Sequence, residues 1–172
     1  MIATVIWILI VVTLVGSMLS TLHYALRDYS MVKLQELIEN RGGSRMIDRV
    51  LEDISGHVLS TGALRSLCNV AITVCIVLLF DVFHVERTLS GEADVLLNWP
   101  GLAGAFLTAS VAIYFFGIVI PMSVAEHAGE RLICTFAAPL TVLHALAWPL
   151  RALGFIDTAI RRLAGAEHVS DE

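Results

Sequence analysis

Charge is what this chain has least of. Only 16% of its 172 residues are Asp, Glu, Lys or Arg, against about 25% in an ordinary soluble domain. That shortage, joined to high hydrophobicity, excludes an intrinsically disordered chain. The net charge is −5 and the pI is near 5.6, with no basic patch, so no nucleic-acid partner is expected. Cysteine is sparse too. Cys68, Cys75 and Cys134 are an odd number and sit in apolar runs, which reads as apolar filling rather than a disulfide framework. What is present is hydrophobic: 57% of the residues are apolar, and the mean hydropathy is +0.80. An integral membrane protein remains, with the length of one domain.

Crossing the hydrocarbon core takes about 20 mostly apolar residues. Three runs meet that length, at about 1–22, 62–83 and 101–122. No Lys or Arg precedes Arg27, so the first run lacks the basic start of a signal peptide and is read as a retained span. Arg65 stands near one end of the second run, where it can snorkel to the interface. Trp99 and Pro100 precede the third, as an interfacial anchor and a helix start. A fourth run, 132–150, is interrupted by Pro139 and Pro149. It is expected to be a kinked interfacial or re-entrant helix rather than a span.

The few charges orient the chain. Arg27, Lys33, Arg41, Arg45 and Arg49 lie in the loop 27–60, only Arg87 lies in 81–98, and Arg131, Arg151, Arg161 and Arg162 follow the third run. The positive-inside rule places the first loop and the C-terminus in the cytoplasm and the N-terminus outside, in a plasma or inner membrane. A fourth span would carry Arg151, Arg161 and Arg162 across.

In the first loop, Val32, Leu34, Leu37 and Ile38, then Met46, Ile47, Val50, Leu51 and Ile54, recur at helical spacing. They predict two amphipathic helices, broken at 40–44 with Ser44 as an N-cap. The second loop, with Glu86, Ser90, Gly91, Glu92 and Asp94, reads as a short polar external loop. The expected fold is an all-α membrane protein over residues 1–160. It has three transmembrane helices, a cytosolic helical hairpin and a Pro-kinked belt helix at 130–155, and 161–172 form a solvated tail.

Polar residues inside spans are costly and mark function or packing. Ser66, Asn69 and Thr73 line one stripe of the second span, and Gly16 and Ser20 share a face of the first. In the third, Pro121 has no N–H, so the carbonyl of Gly117, four residues earlier, loses its helical partner. A freed carbonyl, an amide oxygen and hydroxyls are the hard ligands that Mg²⁺ or Na⁺ accepts. The plainer alternative is that small and hydroxyl residues only let helices pack closely. No Asp or Glu lies within the three runs, Asp81 standing at a boundary, whereas Mg²⁺ usually keeps one or two carboxylates. Glu126, His127 and Glu130 read as a solvated membrane exit, and His23 and His144 as isolated structural histidines. No constellation points to an enzyme or a bound cofactor.

The third run and its exit read Phe116-Gly117-Ile118-Val119-Ile120-Pro121-Met122-Ser123-Val124-Ala125, then Glu130-Arg131-Leu132 and Ala137-Ala138-Pro139-Leu140. This resembles the transmembrane domain of the CNNM/CorC family of magnesium and cobalt efflux proteins, whose hallmark there is F-G-E-I-I-P-K-S-L-A. Ser20-Thr-Leu-His23, Leu34-Gln-Glu-Leu37, Leu51-Glu-Asp53 and Leu59-Ser-Thr61 are similar to further family patterns. The resemblance implies three spans, a belt helix, a dimer (with itself or a related membrane protein) and a cation site between the spans. By position it implies Ser20, Ser66 and Gly117 as metal ligands, with Asn69 close by and Pro121 as the helix break. It suggests Mg²⁺ efflux, with Na⁺ entry as a coupled step. The family's glutamate falls on Ile118, its lysine on Met122, a second glutamate on His23 and a serine on Gly16. The cytosolic CBS pair that follows in the family has no counterpart within these residues.

Overall fold

The computed structural model describes residues 2–40, 45–80, 83–87 and 93–146. In chain order these form α1 (Ile2–Asp28), α2 (Met31–Asn40), α3 (Arg45–Glu52), α4 (Ile54–Leu79), β1 (Phe83–Arg87), β2 (Ala93–Leu97), α5 (Trp99–Tyr114), a π-helical turn (Phe115–Val119) and α6 (Ile120–Leu146). Three helical stretches are long and apolar enough to cross a membrane: Ile2–Asp28, Ile54–Leu79 and Trp99–Leu146. The expected helical membrane fold with three spans is therefore what the chain adopts.

Several boundaries move. Ile54 opens the second spanning helix instead of closing the loop helix. Asp53 decides this: its carboxylate Oδ1 accepts from the Gly56 N–H at 3.0 Å, capping a helix that then runs unbroken into the apolar stretch. Asn98 does the same for α5, accepting from the Gly101 N–H at 3.2 Å, with Pro100 in the first turn. The second loop is more than a polar connection. Its described parts are an antiparallel ribbon, with Phe83 opposite Leu97 and Val85 opposite Val95. The alternation of Phe83, Val85 and Arg87 with His84 and Glu86 is strand-like, but five residues are too few for a period of two to stand out beside the turn-forming Ser90 and Gly91.

The fourth run is not a separate element. It continues the third span as the far end of α6, and it is kinked at Phe136, whose φ of −101° and ψ of 16° leave the helical region. Pro139 explains the site of the kink, because it withholds the N–H that the carbonyl of Thr135 would take. The stretch Trp99–Leu146 has 48 residues, or about 72 Å of helix, more than twice the ~30 Å hydrocarbon core. Its distal part packs elsewhere. Ile133, Ala137 and Leu140 form one buried cluster with Leu22, Ala25 and Leu26 of α1, Leu34 of α2, and Ile47 and Val50 of α3. The described part of this stretch ends at Leu146; Ser44, Pro149, the remainder to 155 and the tail lie outside the described residues. Glu130 ties the same corner, its Oε1 accepting from the Ser30 N–H at 3.3 Å just ahead of α2, a favourable place for a negative charge.

Small residues set the helix spacing. Ala105 and Ala109 of α5 are buried against Ile72 and Ile76 of α4. Gly129 of α6 faces Ala25 of α1, at 3.4 Å from where its Cβ would be. Gly16 of α1 is tighter: a Cβ there would stand 3.0 Å from Cys68 Cβ on α4. A side chain at position 16 requires Cys68 to give way by a few tenths of an ångström. Gly16→Ser is accordingly expected to cost about 1–3 kcal/mol through overpacking, read as a lower melting temperature of the purified protein in detergent. An unchanged melting temperature would show the seam to be looser than this.

Candidate cation site between the helices

The break in the third span is a backbone event. The Ile120 N–H donates to the carbonyl of Phe115, five residues back, which is the π-helical spacing. Pro121 follows, and it is buried. It can supply neither the five-residue partner of Phe116 nor the four-residue partner of Gly117. Two carbonyls at membrane depth thus depend on something other than the regular ladder. Gly117 is buried, and no side chain of its own shields its backbone. A Cβ at that position would lie 3.7 Å from Asn69 Oδ1 and 3.6 Å from Ile113 Cγ2. The amide oxygen of α4 therefore stands against the broken turn.

The hydroxyls sort into two kinds. Thr21 donates to the Ser17 carbonyl at 2.9 Å, Ser66 to Gly62 at 3.0 Å and Thr73 to Asn69 at 2.9 Å. These are the back-bonds of residues at rest in a helix. Ser20 is different. It is 0% exposed, and its Oγ has no hydrogen-bond partner among the described residues. An orphaned hydroxyl costs about 1–3 kcal/mol, and the atom is an oxygen with free lone pairs. Gly16 opposite Cys68 and His23 opposite Gly62 fix the α1–α4 register. Ser20 lies between them, one turn from Asn69 toward the end of the molecule that carries α2 and α3.

Of the residues singled out in the sequence, the structure brings Asn69 and Gly117 together, with Pro121 behind the break and Ser20 a turn away. Ser66 does not join them: it is on an exposed face with its hydroxyl engaged at home. Ile118 and Met122 are 39% and 55% exposed. The donor set is made of neutral hard oxygens, which suits an alkali or alkaline-earth cation and not a soft metal. No cluster of three or more His, Cys, Asp or Glu side chains able to hold a metal occurs among the described residues.

Toward the α2–α3 end, the Arg65 Nη1 donates to the Tyr24 hydroxyl at 3.1 Å, with the guanidinium carbon 5.4 Å from the ring centre. Beyond Tyr24 opens a cleft of about 360 Å³ whose lining includes Asp28, Lys33, Met122, Glu126 and Glu130.

One cluster escaped the sequence reading. The rings of His57 and His144 stack at 4.2 Å. His144 lies 3.4 Å from Asp53 Oδ2 through Nε2 and 3.3 Å from Ser60 Oγ through Nδ1. His57 Nδ1 is 2.7 Å from the Asp53 carbonyl. The signal available was the helical spacing of Asp53, His57 and Ser60; their partner on α6 is 84 residues beyond Ser60. His23 is also not isolated, its Nδ1 lying 3.1 Å from the Val58 carbonyl.

These features define a polytopic helical membrane domain with a proline-broken third span. The chain belongs to the CNNM family: the family model described as the cyclin M transmembrane N-terminal domain matches residues 6–172. Compared with curated proteins, the chain finds no match.

Removing the orphaned hydroxyl separates a ligand from a packing residue. Ser20→Ala is expected to raise stability by about 1 kcal/mol, measured as a higher melting temperature, while weakening cation binding in the same preparation. A lower melting temperature would mean that the hydroxyl has a structural partner.

Proposed function

We propose that the chain is a cation-transport domain of the CNNM type, carrying a hard cation such as Mg²⁺ or Na⁺ past a site whose ligands are neutral oxygens. The observation that carries this reading is the pairing of Asn69 Oδ1 with Gly117, at a turn where Pro121 leaves backbone carbonyls without their helical donors. Ser20 supplies a third oxygen, one turn further along the α1–α4 seam. Ser66, at the family position but on an exposed face, becomes a ligand only if a partner subunit covers it. The natural partner is a second copy or a related membrane protein, with the bilayer around both. The N-terminus faces outward, and α2, α3 and the belt face the cytoplasm, in keeping with the arginines of the first loop. Cations from the cytoplasm then enter through the cleft beside Tyr24.

A second reading is that the chain keeps the fold and the dimer surface but regulates a full-length relative without transporting. Ile118 favours it, since an apolar side chain stands where the family carries a glutamate and a dehydrated divalent cation has no compensating charge.

Flux in liposomes distinguishes the two. The transport reading expects Mg²⁺ or Na⁺ flux in the parent and at least a roughly tenfold loss in Asn69→Ala, the scale of one lost charge–dipole ligand. Flux that is absent from the parent and appears in Ile118→Glu supports the regulatory reading. Equal flux in the parent and Asn69→Ala removes Asn69 from the site.

A further inference from the structure

A cationic side chain, Arg65, stands on the α1–α4 seam one helical turn before Asn69, and it contacts Tyr24. Arg65 lies in α4, four residues before Asn69, so the two are neighbours on one helix face. Tyr24 lies in α1, four residues after Ser20. The Arg65 Nη1 bonds to the Tyr24 hydroxyl at 3.1 Å. Because α1 and α4 run in opposite directions, this bond sits on the α2–α3 side of both Ser20 and Asn69. It bridges the two helices at Tyr24, which also lines the acidic cleft. The Nε of Arg65 is buried and has no hydrogen-bond partner, and no carboxylate pairs with its guanidinium, among the described residues. A neutral phenol shares its proton but does not cancel its charge.

We propose that Arg65, held by Tyr24, sets the valence selectivity of the site, excluding divalent cations and leaving a monovalent cation such as Na⁺ as the ion that binds. This deepens the transport reading and rests on the same oxygens. Repulsion between a fixed unit charge and an ion scales with the ion's charge, so a divalent ion meets twice the barrier of a monovalent one at the same place. The ligands bring no negative charge with which to offset that repulsion. The acidic cleft concentrates cations at its mouth, Asp28, Glu126 and Glu130 outnumbering Lys33; the guanidinium behind it then sorts them by charge. The long, flexible stem of arginine fits this place, since it lets a residue inside the span carry its charge toward the interface. Tyr24 fixes where that charge stops.

The test is equilibrium binding of Mg²⁺ and of Na⁺, each alone, to the full chain in lipid nanodiscs. The parent is expected to bind Na⁺ in preference to Mg²⁺. Arg65→Gln is expected to strengthen Mg²⁺ binding about tenfold and Na⁺ binding about threefold, and Arg65→Lys, which keeps the charge, to retain the parent's ratio. Arg65→Met, similar in length and apolar, repeats the neutralisation should the glutamine variant not fold. A Mg²⁺ to Na⁺ ratio unchanged in Arg65→Gln or Arg65→Met, while Asn69→Ala abolishes binding, overturns the selectivity role and leaves the oxygen site standing. Binding indifferent to Asn69→Ala in every background overturns the site itself, and the selectivity role with it. A ratio that shifts equally in Arg65→Lys and Arg65→Gln shows a packing effect and overturns the charge argument.

Discussion

The N–H that Pro121 lacks is the constraint around which the rest is arranged. In water its absence would matter little, because solvent would satisfy the abandoned carbonyls. In a span it matters a great deal. The helix responds by widening to a π-turn at Phe115–Val119, and the widened turn brings a residue without a side chain, Gly117, against the amide of Asn69. A glycine there keeps the backbone open to a neighbour, and the neighbour presents an oxygen. The polar character at this turn thus comes from backbone geometry and a neutral side chain.

Close packing makes that geometry reproducible. Gly16 against Cys68 holds α1 to α4, and Gly129 against Ala25 holds α1 to α6. The apolar cluster joining Leu22, Leu34, Val50, Ile133 and Leu140 anchors the loop helices beneath the spans. Within this frame the hydroxyls are spent in two ways: most bond back to their own helix, whereas Ser20 is buried without a partner among the described residues. A protein does not keep an orphaned hydroxyl for stability, which is why Ser20 separates so clearly from Thr21, Ser66 and Thr73. The charges are as asymmetric as the hydroxyls. Acidic groups gather at the cleft that Tyr24 lines, and the guanidinium of Arg65 is hydrogen-bonded to that tyrosine.

Sequence alone determined that the chain is helical and membrane-embedded, because apolar runs of spanning length report a transfer free energy that needs no partner. It also determined where the third span must break, since the missing donor of a proline is a local covalent fact, and it pointed to Gly117 and Asn69 as residues worth finding together. Tertiary structure decided the rest, because each remaining feature depends on what stands opposite. Ser20 and Ser66 look alike in sequence, yet one is sealed against neighbouring helices and the other faces outward. Glu130 looked like a solvated exit residue and instead accepts from the Ser30 N–H, 100 residues away. His144 looked solitary until α4 placed His57 and Asp53 beside it. Arg65 read as a side chain reaching for the interface, and only the packing of α1 shows Tyr24 as the place where it stops. Hydropathy and helical periodicity run along one chain, and they carry no information about which face of a helix meets which face of its neighbour.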